Sequence, residues 1–171
     1  GSIVKIRLSD FSYVATLNTM ANNLRAAVLD EVNGFAYFAS YANQKISKIR
    51  LSDFSEVAVL DTAGITEFRS AVIDSASGFA YFGNEIEPAN IVKVRLSDFT
   101  IAETITFPTG ENNADGAVID AANGFMYFGV QGNVVKVYDS ELLPPLPGNL
   151  TINITPSDAV YNVIDSLGNT V

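Results

Sequence analysis

The 171-residue chain has no cysteine, no histidine and no tryptophan, and only two methionines. Without cysteine there is no disulfide, no thiolate nucleophile and no thiolate metal site. Without histidine, the commonest general base and metal ligand at neutral pH is missing. Basic residues are scarce: ten Lys and Arg against nineteen Asp and Glu give a formal net charge of −9. Nucleic acids and anionic membrane surfaces both require a basic footprint, so neither is expected as a partner. Apolar runs are only a few residues long, which predicts no membrane insertion. No Asp-x-Asp-x-Asp loop occurs, so no calcium site is expected, and no cofactor is expected either. A cysteine-free chain fits the cytosol or a bacterial or archaeal exterior equally well.

What is present is repetition. "KIRLSDFS" stands at 5–12 and again at 48–55, and "KVRLSDFT" at 93–100. A second block recurs between them: "LRAAVLDEVNGFAYFAS" (24–40), "FRSAVIDSASGFAYFGN" (68–84) and "ADGAVIDAANGFMYFGV" (114–130). Lys5, Lys48, Lys93 and Lys136 mark the period, at spacings of 43, 45 and 43 residues. That lies in the range of about 40–50 residues typical of four-stranded propeller blades. "AVID", a tight turn and "FAYF" form a hairpin of β-branched and aromatic runs. Gly34, Gly78 and Gly124 fall where the turn needs a positive φ, and Asp30, Asp74 and Asp120 fall where a carboxylate can cap it. "IVKIRLSDF" alternates, with Ile3, Lys5 and Arg7 on one face and Val4, Ile6 and Leu8 on the other. A fourth strand follows each Ser-Asp-Phe turn, in which Ser and Asp shape the bend and Phe packs inward. With 48% hydrophobic residues and no capped helical periodicity, the chain reads as an all-β globular protein.

The order "GAVID…NGFMYFG…NIVKVRLSDF…IAETITF" resembles the repeats of YVTN-type bacterial and archaeal surface β-propellers. Tyr37-Phe38, Tyr81-Phe82-Gly83-Asn84 and Tyr127-Phe128-Gly129 take the "YV-T-N"-like place. Asp139 matches the aspartate of that family's third strand, whereas Leu8, Leu51 and Leu96 depart from it. The resemblance covers 3–142 and implies architecture and a prokaryotic extracellular or cell-surface location. It carries no catalytic residue.

With strands lettered a to d from the axis outward, residues 3–17 supply c and d. Whole blades follow at 26–60 and 70–107, and a, b and c at 116–139. The repeats thus give about three and a half blades, where closed propellers have about 4–8. A partial ring leaves blade faces bare, so the expectation is either a longer propeller or two arcs closing one ring. After 142 the chain changes character. "LPPLPG" is a Pro-rich linker at 143–148, and 149–171 resembles the start of an Ig-like or PEGA-like module, or an added strand.

Faithful repetition assigns the strands to packing and leaves recognition to the loops. The basic pairs at 5/7, 48/50 and 93/95 are expected to lay their stems between blades with heads paired to acids. Glu67, Phe68, Glu85, Glu87 and Glu111 are the loop residues expected to touch a ligand. Phe68, with Tyr41, is expected to stack on a sugar. No catalytic or metal-binding residue is assigned. The function expected is a non-enzymatic scaffold acting in self-assembly, adhesion or binding of carbohydrate or protein. A propeller-fold polysaccharide or lactone lyase or hydrolase is one alternative. A fibre or sheath subunit that exchanges its C-terminal tail is another.

Overall fold

A computed structural model describes residues 1–142; the stretches 143–148 and 149–171, read as linker and partial module, lie outside the described residues. Strands β1 (Ser2–Ile6) and β2 (Tyr13–Asn18) form a two-stranded sheet, blade 1. Blade 2 comprises β3 (Leu24–Asp30), β4 (Phe35–Ser40), β5 (Lys45–Arg50) and β6 (Ser55–Asp61) in sequential order. Blade 3 repeats this with β7 (Phe68–Asp74), β8 (Phe79–Asn84), β9 (Asn90–Arg95) and β10 (Thr100–Thr106). Blade 4 has β11 (Gly116–Asp120), β12 (Phe125–Val130) and β13 (Asn133–Tyr138). Every pairing is antiparallel. The innermost strands β3, β7 and β11 lie side by side across blade boundaries, as they do around a propeller axis.

Two local devices explain why each repeat makes the same blade. In the a–b hairpins, Gly34, Gly78 and Gly124 sit at φ of 75°, 79° and 74°, a region that costs other residues a Cβ clash. Asp30 accepts from Asn33 Nδ2, Asp74 from Ala76 N and Ser77 Oγ, and Asp120 from Asn123 Nδ2, so all three aspartates cap the turn as expected. In the c–d turns, Asp10, Asp53 and Asp98 accept from the hydroxyls of Ser12, Ser55 and Thr100 at 2.7–2.8 Å. Arg7, Arg50 and Arg95 reach the other carboxylate oxygen at 3.3, 3.0 and 3.4 Å. The next residues, Phe11, Phe54 and Phe99, all adopt φ near +54°, an uncommon setting for a bulky side chain. The turn chemistry holds it there.

The core lies between sheets. Between blades 2 and 3, Tyr37, Ala39 and Ile46 pack against Phe68, Phe82, Val92, Val94 and Leu96. Between blades 3 and 4, Tyr81 and Ile91 pack against Met126, Phe128 and Val137. Strand β8 is therefore buried along its whole length, with alternate residues serving opposite neighbours. The third strand alternates as expected. Ile91 and Lys93 face blade 4, while Val92, Val94 and Leu96 face blade 2.

Blade 1 shows what happens without a neighbour. Val4, Ile6 and Leu8 occupy the positions of Val92, Val94 and Leu96, yet are 55%, 43% and 81% exposed, against 0%, 0% and 6%. The expectation that the Phe of the "LSDF" turn packs inward holds for Phe99, whose ring centroid is 5.6 Å from that of Tyr37 across the junction. It fails for Phe11, which is 81% exposed because no blade among the described residues covers that face.

Sheet stacking is tightest at Gly83. A methyl group there would lie 2.5 Å from Ser70 Oγ and 3.2 Å from Ala114 O, and Ser70 Oγ is itself held by that carbonyl at 2.6 Å. At the equivalent Gly129 the nearest atom is 3.9 Å away. Gly83→Ala is expected to cost about 1–3 kcal/mol by overpacking, and Gly129→Ala under about 0.5 kcal/mol. Urea denaturation of the two variants checks this, and equal midpoints would contradict it.

Candidate functional site

Two places gather chemistry: the loop face near the axis, and the sockets where one blade stacks on the next. On the loop face, Arg25 and Arg69 fall at the same point of the repeat, where the β3–β4 and β7–β8 registers each skip a residue. A bulge of this kind re-aims its side chain. Both guanidiniums come over the Tyr41 ring, at 4.0 and 5.2 Å from its centroid. Arg69 also pairs with Glu85 through Nη2, and its Nε lies 3.8 Å from Asp115 Oδ1. Asp115 holds the place in its repeat that Arg25 and Arg69 hold in theirs.

The loop residues singled out in the sequence separate here. Glu85 joins the cluster, but as the counter-ion of Arg69. Glu67 stands beside it at φ 61°, its amide donating to Tyr41 O and its carbonyl accepting from Glu85 N. Glu111 lies across the next junction, where Oε1 accepts from Asn133 Nδ2 at 3.1 Å. Glu87 is exposed on the β8–β9 loop. Phe68 requires correction: it opens β7, is 0% exposed and packs edge-on to Phe82, so it offers no face to a sugar. The alternation of a strand that begins at residue 68 rather than after it is the reason. Tyr41 remains partly open, with its ring already engaged by the two arginines.

The second place was not visible as a site in the sequence. In each repeat the b-strand tyrosine is registered opposite the c-strand lysine: Tyr37 with Lys48, Tyr81 with Lys93, Tyr127 with Lys136. Each ammonium lies over the phenylalanine two residues before that tyrosine, at 4.2, 4.2 and 3.6 Å. The following blade closes the socket. Its contribution is fixed by one repeated backbone bond: Leu96 N donates to Gly78 O and Asp139 N to Gly124 O, both at 2.9 Å.

At the junction of blades 3 and 4 the socket is full. Asp139 Oδ2 accepts from Tyr81 OH at 2.8 Å and from Lys93 Nζ at 2.6 Å, and Lys93 also pairs with Glu141. Lys93 is 2% exposed. Burial pushes the Asp139 carboxyl up, but hydrogen bonds from Lys93, Glu141 N and Tyr81 outweigh it and hold the group below the usual carboxylate range. Burial and the same hydrogen bond push the Tyr81 phenol well up.

At the junction of blades 2 and 3, Leu96 occupies the place of Asp139 and sends no carboxylate inward. A cavity of about 280 Å³ remains, lined by Asp30, Asn33, Phe35, Tyr37, Lys48, Gly78, Leu96 and Ser97. Tyr37 is 1% exposed and its hydroxyl has no hydrogen-bond partner among the described residues. Burial, helped by Asp30, pushes that phenol up to about 12, so it keeps its proton at any ordinary pH. The Lys48 ammonium donates to the Leu96 carbonyl, at 3.4 Å. Burial pulls its ammonium down, with Asp30 opposing.

No protein-family model matches this chain, and no curated protein does. Solved structures match clearly. A chain of hydrazine synthase from Kuenenia stuttgartiensis superposes with a TM-score of 0.67 at 10% identity, over 80% of this chain and 40% of that one. A chain of the nidogen/laminin complex gives 0.66 at 14%, over 80% and 52%. A functionally unknown protein from Desulfotomaculum acetoxidans gives 0.62 at 14%, over 75% and 40%. The chain spans 40–52% of the length of these neighbours. Such identities show the fold alone, and the fold is a β-propeller. Of that architecture the described residues hold two whole blades and parts of two more.

The full socket has a pH signature. A carboxyl held below its unfolded value of about 3.9 contributes stability that is present above that pH and lost as the pH falls through the folded value. Asp139→Asn should therefore lower stability at neutral pH, by about 3 kcal/mol for a buried pair deprived of one partner. It should also flatten the decline below about pH 4, leaving the part carried by Asp10, Asp53 and Asp98, which their hydroxyl partners likewise hold low. Urea denaturation across that pH range checks both effects, and an unchanged acid limb would contradict the assignment.

Proposed function

We propose that this chain is a non-enzymatic β-propeller scaffold of the YVTN-like type, displayed outside a prokaryotic cell and working by association with a second copy of itself. One observation carries the reading: the blade 1 face is bare where the same positions of blade 3 are buried. The far end of the arc offers what that face would meet. On blade 4, Phe125, Tyr127 and Lys136 point away from blade 3, with Lys136 exposed and Val134 60% exposed. They are the counterparts of Phe35, Tyr37 and Lys48, on which Leu96 and Phe99 of blade 3 rest. Leu8 and Phe11 of one copy therefore match the end of another, in a head-to-tail contact that can close two arcs into one ring.

The outer location rests on the resemblance to surface propellers. Adhesion or ligand binding would fall to the loop face around Arg25, Tyr41 and Arg69. A neighbour of the same fold, in the nidogen/laminin complex, is found with a protein partner. The enzyme reading is less favoured, because Glu85 is committed to Arg69 and Glu111 to Asn133 rather than converging as an acid pair.

Light scattering during gel filtration tests the association. The full chain is expected to run as a dimer in a concentration-dependent manner, and Leu8→Asp or Phe11→Asp to yield monomers with unchanged β circular dichroism. A monomer at every concentration, or dimers indifferent to both substitutions, would overturn it.

A further inference from the structure

We propose that the socket between blades 2 and 3 binds a small organic carboxylate. The molecule contains its own comparison. At the next junction the same tyrosine and lysine, on the same strands and in the same register, hold the Asp139 carboxylate. Between blades 2 and 3 the tyrosine and lysine are kept, the acid is replaced by Leu96, and space remains where the carboxylate would sit. A buried hydroxyl is costly to leave without an acceptor, and the Tyr37 hydroxyl has none among the described residues. Asp30 does not bar an anion. Its counterpart Asp74 stands at the same point beside the full socket, where its charge is felt by Tyr81 together with that of Asp139. Asp30 is in addition engaged by Asn33 at 2.9–3.1 Å.

Shape limits the ligand. The cavity is just below the range of about 300–1,000 Å³ that houses drug-sized molecules, and the exposed Asn33 and Ser97 stand at its mouth. The carboxylate would enter between Tyr37 OH and Lys48 Nζ, with the rest of the molecule toward these polar groups. An acid of about monosaccharide size fits this description. This inference is independent of how the end faces are covered, since the socket lies wholly within one chain.

Isothermal titration calorimetry of the full chain with sodium glucuronate, and with glucose as its uncharged counterpart, tests the proposal. Glucuronate is expected to bind one per chain and at least ten-fold more tightly than glucose. Tyr37→Phe, which keeps the ring and removes only the donor, and Lys48→Met should each weaken it at least ten-fold. Leu96→Asp supplies an internal carboxylate, as Asp139 does next door, and should abolish binding. Should Leu96→Asp not fold, the Tyr37→Phe comparison decides alone. Equal binding of glucuronate and glucose, or unchanged affinity in Tyr37→Phe, would overturn the proposal.

Discussion

A propeller blade is a sheet with a neighbour on each side, and everything in this chain follows from having to bury both faces at once. An ordinary antiparallel sheet can keep one face wet. Strand β8 cannot: it is buried from end to end, and its alternate residues belong to two different cores. That demand explains why the third strand is spelled so uniformly. Ile91 and Lys93 must suit one neighbour while Val92, Val94 and Leu96 suit the other. It explains the lysine as well, since a long apolar stem can cross a greasy junction while its ammonium lies on an aromatic face.

The period, the aspartate-capped hairpins and the "LSDF" turns made the blades legible in the sequence, because each depends on contacts within a few residues. Strand limits fell within a few residues of expectation for the same reason. The site was less legible. Glu85 was marked as a loop acid, but its pairing with Arg69 depends on a bulge that re-aims the arginine, and a bulge leaves no composition of its own. Phe68 is misplaced because β7 begins two residues before the start at 70 expected for that blade. The sockets stay hidden since Leu96, which closes one of them, is 48 residues from Lys48 in the chain, and each of these residues looks like packing. A trace existed: Asp139 stands where the other repeats have leucine.

The two sockets also show how little separates structure from a binding site in a repeat protein. The Lys–Tyr pair is the same in both, and one side chain from the next blade decides whether it is satisfied from within. Where Asp139 supplies the charge, the pair is buried structural chemistry. Where Leu96 faces it, the same donors line an accessible space. A binding function in such a chain can thus be gained or lost by changing one residue on a neighbouring blade, with the strands that carry the donors untouched.

Asp139 has one further consequence, which concerns order rather than strength. Blades this alike share a hazard: a sheet that can dock on its rightful neighbour can dock nearly as well on another. An apolar contact such as Leu96 on Lys48 does little to tell them apart. The Lys93–Asp139 contact does, since a junction that paired the buried Lys93 with a leucine would leave its ammonium with no counter-charge from that blade. The aspartate therefore acts as an address, written once among the described blades, and fixes which blade docks on blade 3.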